Sequence, residues 1–145
     1  MSTTIQQHSQ QFGGNWTEEK LNIFTEYLNA YLIALQNQKF SKVYIDAFAG
    51  TGEIVTRDGE QHLVGSAKRA LSVDLKFDRY CFIEKDKKKV AELQKMIDIK
   101  FPDLVNRVSI YCGDANARLK EIINQIDWRF YRGLLFLDPC ATEVN

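Results

Sequence analysis

The feature that most constrains this chain is the stretch Lys42-Val43-Tyr44-Ile45-Asp46-Ala47-Phe48-Ala49-Gly50-Thr51-Gly52. Its first half is rich in β-branched and aromatic residues, which predicts a buried strand. Its second half is small and glycine-bearing, which predicts a tight turn at the strand's C-terminal end. Asp46 closes the strand. Gly50 and Gly52 have no Cβ, so the backbone of the turn can come close to a neighbouring group. In an open α/β sheet, ligands bind in that place, outside the carboxyl ends of the strands.

The rest of the chain supplies the partners such a strand needs. Leu21, Phe24, Leu28, Tyr31, Leu32 and Leu35 recur at helical spacing, so an amphipathic helix runs from its N-cap Thr17 to about Gln36. Trp16 and Leu21 occupy the positions of a hydrophobic staple. Packing against the sheet is the reading preferred for this helix over a pocket walled by Trp16 and Tyr27. After the glycine turn, the polar insert Glu53 to Leu63, with Asp58-Gly59 inside it, predicts a small hairpin or an ordered loop. A short helix follows over Ala67–Ser72, with Ser66 as its N-cap.

Arg79–Glu84 is the second strand, and Lys87 to about Ile99 is a helix capped by Asp86, with Val90, Leu93, Met96 and Ile97 facing inward. Arg107–Cys112 is the third strand and 113–116 a turn. Ala117–Ile126 is a helix whose inner face is Leu119, Ile122, Ile123 and Ile126. Gly133–Asp138 is a continuous apolar run ending in an acid, as in a strand buried on both faces, and Pro139 stops it. A helix followed by strand–helix alternation predicts an α/β fold. It is a Rossmann-like open parallel sheet, strand order 3-2-1-4, flanked by helices and joined by right-handed crossovers.

Composition narrows the class. The length of 145 residues suits one domain, and 45% apolar residues suit an ordinary core. Residues 1–15 are polar and glutamine-rich and read as a flexible arm, leaving 16–145 as the folded domain. His8 in that arm and His62 in the insert read as solvated histidines. Lysine plus arginine and aspartate plus glutamate both number 19, which excludes a broad basic field but not a local basic groove. Cys81, Cys112 and Cys140 form no CxxC pair and no metal-ligand set, and no signal peptide is expected. Free thiols in a reducing cytoplasm are therefore expected. No apolar run approaches the roughly 20 residues of a membrane span.

Four carboxylates, Asp46, Glu84, Asp114 and Asp138, fall at or just past the ends of the four predicted strands. In a parallel sheet those ends share one edge. Glu84 is placed to accept hydrogen bonds from ribose hydroxyls, and Asp114 from an adenine amino group. Asp46 is placed to fix the turn or meet a cationic ligand group, and Asp138 to border a reacting group. Simpler roles are a helix cap for Asp114 and a turn brace for Asp46. Neither a P-loop nor G-x-G-x-x-G occurs. An acid-lined edge suits a cationic nucleoside such as S-adenosylmethionine better than a dinucleotide. Lys87, Lys88 and Lys89 stand in the first turn of their helix, where the dipole disfavours cations. They read as a solvated face, with a phosphate-bearing partner as the alternative.

The motifs Tyr44 to Gly52, Phe82-Ile83-Glu84-Lys85-Asp86, Cys112-Gly113-Asp114-Ala115-Asn116 and Leu135-Phe136-Leu137-Asp138-Pro139 resemble those of Rossmann-like class I methyltransferases. More narrowly, the chain resembles the three-Cys-motif partner protein family, TcmP, over nearly its whole length. The resemblance implies a methyltransferase-like domain whose cofactor is S-adenosyl-L-methionine, acting beside a protein with a three-cysteine motif. It implies a cofactor loop of Asp46, Phe48, Ala49, Gly50 and Gly52, a ribose ligand in Glu84 and adenine contacts from Asp114 and Ala115. Asp138 and Pro139 would border methyl transfer as the catalytic pair.

Cys140 stands where the family carries an aromatic, and with no basic group evident to activate it the preferred reading is an inert thiol over a nucleophile. Three strands usual in a complete methyltransferase are not in the sequence, so the chain is expected to be the cofactor half. Its last strand would then be an exposed edge that invites a homo-oligomer, which a monomer in light scattering would count against. The alternatives are a non-catalytic nucleoside-binding partner of the three-Cys-motif protein, and a nucleic-acid-modifying or phage-defence component with Lys85 to Lys89 on phosphate.

Overall fold

A computed structural model describes residues 18–47, 53–55 and 62–137, with 53–55 and 62–64 described as backbone only. The elements are α1 (Glu18–Leu35), β1 (Ser41–Ala47), β2 (Glu53–Val55), β3 (His62–Val64), α2 (Ser66–Ser72), β4 (Arg79–Glu84), α3 (Lys87–Lys100), a 3-10 helix (Pro102–Arg107), β5 (Val108–Cys112), α4 (Ala115–Gln125) and β6 (Tyr131–Leu137). Four strands form an all-parallel sheet in the order β5-β4-β1-β6, the 3-2-1-4 order expected. The insert carries an antiparallel pair, β2 with β3, in which Ile54 opposes Leu63.

β1 is central because its side chains are apolar on both faces. Val43, Ile45 and Ala47 point one way and pack with Cys81, Ile83, Ile122 and Ile126, so α4 covers that face. Tyr44 points the other way, into a larger cluster with Phe24, Leu28, Leu32, Leu71, Phe77, Tyr80, Phe82, Leu93 and Ile97. Helices α1, α2 and α3 cover this second face. The two-residue period of the strands thus splits the core into two layers. Tyr44 is surrounded by rings at centroid distances of 6.4 Å (Phe24), 5.4 Å (Phe77), 6.4 Å (Tyr80) and 6.1 Å (Phe82). Tilted and edge-on pairs of this kind contribute about 0.5–1.5 kcal/mol each beyond their burial.

Several expectations shift. Ser66 is the first residue of α2 and does not cap it; Gly65 holds the N-cap position, without a side-chain bond. Helix α4 begins two residues early, at Ala115, because Asp114 takes the cap and accepts from the Ala117 N–H at 3.0 Å. Ile123 is 40% exposed, since the stripe of α4 that meets the sheet runs through Leu119, Ile122 and Ile126. Arg107 still belongs to the 3-10 turn, and its guanidinium donates to the Phe77 carbonyl. Strand β6 begins early, at Tyr131, because its pairing with β1 extends back to Ser41. The N-cap Thr17, the staple residue Trp16 and the residues of the glycine turn lie outside the described residues.

Candidate functional site at the carboxyl edge of the sheet

The register fixes which residues share the edge. Asp46 lies beside Phe82 in β4 and Phe136 in β6, and Ala47 beside Ile83 and Leu137. Glu84 pairs with Cys112, so Asp114 follows two residues beyond the end of β5. The sheet therefore brings Asp46, Glu84 and Asp114 to one edge, at successive strand ends. Phe48, Ala49, Gly50, Gly52, Asp138 and Pro139 lie outside the described residues.

The three carboxylates sit in different settings. Asp46 is wholly buried. Its Oδ2 accepts from the Tyr44 hydroxyl at 2.9 Å and from the Ser66 hydroxyl at 2.6 Å. A buried carboxylate is tolerated when hydrogen bonds replace its water. Asp46 thereby ties the end of β1 to the start of α2. Burial, the Asp46 charge and the hydrogen bond to it together hold the Tyr44 phenol well above its ordinary range.

Glu84 is 8% exposed, and its Oε2 accepts from the Asp86 N–H at 2.7 Å. The chain bends around this carboxylate before α3 begins. Asp86 then caps α3, its Oδ1 accepting from the Lys88 N–H at 2.9 Å. The Glu84 carbonyl accepts from the Gly113 N–H at 3.1 Å, which locks the ends of β4 and β5 together. Gly113 has φ +148°, and a Cβ there would meet Arg118 Nε at 2.8 Å. Only glycine meets both conditions without strain. Asp114 is exposed, and its Oδ2 is committed to capping α4. Ala115 is the first residue of that helix and is half-buried.

Sequence reasoning passed over four residues here. Tyr44 and Ser66 supply the hydrogen bonds on Asp46. Lys20 and Lys68, on α1 and α2, are only 6% and 7% exposed, and both are partnered. A signal existed for Lys20: it stands four residues before Phe24 and eight before Leu28, a cation on the apolar stripe. Tyr27 packs against the core with its hydroxyl buried and, among the described residues, without a hydrogen-bond partner.

An open cleft of about 280 Å³ lies off this edge, between α1 and α2, lined by Thr25, Asn29, Arg69, Ser72, Val73 and Asp74. Arg69 spends its guanidinium on α1, donating to Asn22, Thr25 and Glu18. The cleft is therefore a polar helix seam, without the convergent chemistry of the carboxyl edge. Among the described residues no three His, Cys, Asp or Glu side chains gather as metal ligands, and no helix is long and apolar enough to cross a membrane. No protein-family model matches the chain, and no curated protein matches it.

Proposed function

We propose that this edge binds an adenosyl cofactor and that the protein is an S-adenosylmethionine-dependent methyltransferase, or the cofactor-binding half of one, related to the three-Cys-motif partner proteins. The observation that carries the reading is the row of Asp46, Glu84 and Asp114 at successive strand ends of an all-parallel 3-2-1-4 sheet. Ligands bind at the carboxyl ends of such sheets. The donor set fits the cofactor chemically. A carboxylate at the end of β4 accepts from paired ribose hydroxyls, and the Asp86 N–H orients it for that task. Asp114 keeps Oδ1 for an adenine amino group while Oδ2 caps the helix. Asp46 acts from within, holding the strand end against α2. When bound, the cofactor supplies a sulfonium-activated methyl group as the electrophile. The chain's part is to fix the adenosine so that the methyl faces an acceptor, a contribution of proximity and orientation. Asp138 and Pro139 are assigned to the border of that position by motif alone.

Calorimetric titration with S-adenosylmethionine and S-adenosylhomocysteine tests the reading. Micromolar binding is expected, with loss in Glu84→Ala and weakening in Asp114→Ala. A folded protein that binds neither ligand would sink it. Ligand binding with no methyl transfer to any acceptor would favour the non-catalytic partner reading.

A further inference from the structure

We infer that Ser66 is a positioning residue for adenosyl-ligand binding, acting through Asp46; the inference deepens the cofactor reading and rests on it. In the chain, Phe48, Ala49, Gly50 and Gly52, assigned to the cofactor by motif, all fall between Asp46 and Ser66. The Ser66 hydroxyl donates to Asp46 Oδ2 at 2.6 Å, across 20 residues. That bond joins the two ends of the cofactor segment, where it leaves β1 and where it enters α2. Ala47 and Gly65, on the inner side of each end, are both buried. The bond therefore sets the spacing of the two points from which the segment is held.

Two features set this bond apart from scaffolding. Helix α2 has other anchors: Ala67, Ala70 and Leu71 are fully buried in the core, and Arg69 reaches Asn22, Thr25 and Glu18 on α1. The docking of the helix does not depend on Ser66. A carboxylate is also a poor choice for packing at position 46. Asp46 is flanked in register by Phe82 and Phe136, and burying its charge carries a desolvation cost that an apolar side chain would avoid. What the charge supplies is a short, directional bond. Tyr44 ties the carboxylate to its own strand, and Ser66 ties the helix to the carboxylate. Because Asp46 is wholly buried, it acts on a ligand through the chain it holds. Linkage gives the coupling a second signature: a bond that favours the binding-competent arrangement is favoured by bound ligand to the same degree.

Calorimetry with S-adenosylhomocysteine and amide hydrogen exchange, both on the full chain, test the inference. Hydrogen bonds to charged groups are strong enough for Ser66→Ala to weaken ligand binding about tenfold. Ser66→Thr keeps the hydroxyl and should restore most of the affinity. Ser72→Ala removes a hydroxyl from the other end of α2, one that donates to the Lys68 carbonyl, and should leave the affinity unchanged. A general loosening of α2 would instead show in both alanine variants. In the wild type, bound ligand should slow exchange of the Arg69 N–H, which closes the first turn of α2 on the Gly65 carbonyl at 3.1 Å. That slowing should vanish in Ser66→Ala. Unchanged affinity in Ser66→Ala, an equal loss in Ser72→Ala, or a loss that Ser66→Thr does not reduce would each overturn the inference. If Ser66→Ala fails to fold, wild-type exchange decides alone: a bound ligand that leaves the Arg69 N–H unprotected overturns it. The two readings fail separately. A wild type that binds no adenosyl ligand removes the cofactor site and Ser66's role together, whereas wild-type affinity retained in Ser66→Ala removes only the role of Ser66.

Discussion

Tyr44→Phe should reverse its sign depending on what stands at position 46. In the native chain the fully buried Tyr44 hydroxyl donates to the fully buried Asp46 carboxylate at 2.9 Å. A hydrogen bond to a charged group contributes about 1.5–3 kcal/mol, so Tyr44→Phe should cost about that much. Asp46→Ala removes the acceptor for both Tyr44 and Ser66. It also leaves the phenol hydroxyl in an aromatic cage of Phe24, Phe77, Tyr80 and Phe82. An unsatisfied buried hydroxyl costs about 1–3 kcal/mol. In the Asp46→Ala background, then, Tyr44→Phe should stabilise by about 1–3 kcal/mol. The coupling energy is the difference between the two effects, about 2.5–6 kcal/mol, larger than usual for neighbouring residues. Urea unfolding followed by circular dichroism across the four proteins measures it, with an unchanged slope against urea as the control on the unfolded state. Equal losses from Tyr44→Phe in both backgrounds would refute the reasoning, because the hydroxyl would then be indifferent to Asp46.

Two other expectations follow from the same geometry. Tyr44 and Tyr80 have phenols raised above the ordinary 10.0, chiefly by burial, and a raised folded value contributes stability that is complete below the unfolded value and lost as pH rises. Stability should therefore fall above about pH 10, and phenolate absorbance from these two should appear only with unfolding; smooth ionisation of all six tyrosines before any loss of helix signal would contradict this. Gly113→Ala should destabilise by about 1–3 kcal/mol because of its positive φ. Adding Arg118→Ala should not restore the loss, and full recovery in a thermal melt would show that the clash with Arg118, not the backbone, was the cause.

The alternation of helical and two-residue periods determined the element order and the parallel sheet of this protein, because each period marks which faces must be buried. It also placed acids at strand ends, since a residue that terminates a buried apolar run projects at the sheet edge wherever the strands lie. Asp86 and Asp114 were legible as caps for a local reason: a cap bonds an N–H only two or three residues away. Ser66 was not, because its hydroxyl turns from its own helix to a carboxylate 20 residues earlier, and no local pattern encodes that partner. Ile123 was misplaced because helical periodicity marks the apolar face broadly, whereas the sheet decides which narrow stripe it covers. The burial of Lys20 and Lys68 and the lock between Gly113 and Glu84 were likewise decided only in three dimensions. Local spacing determines which elements form. Partners distant in the chain decide where a polar group finds the bond that lets it be buried.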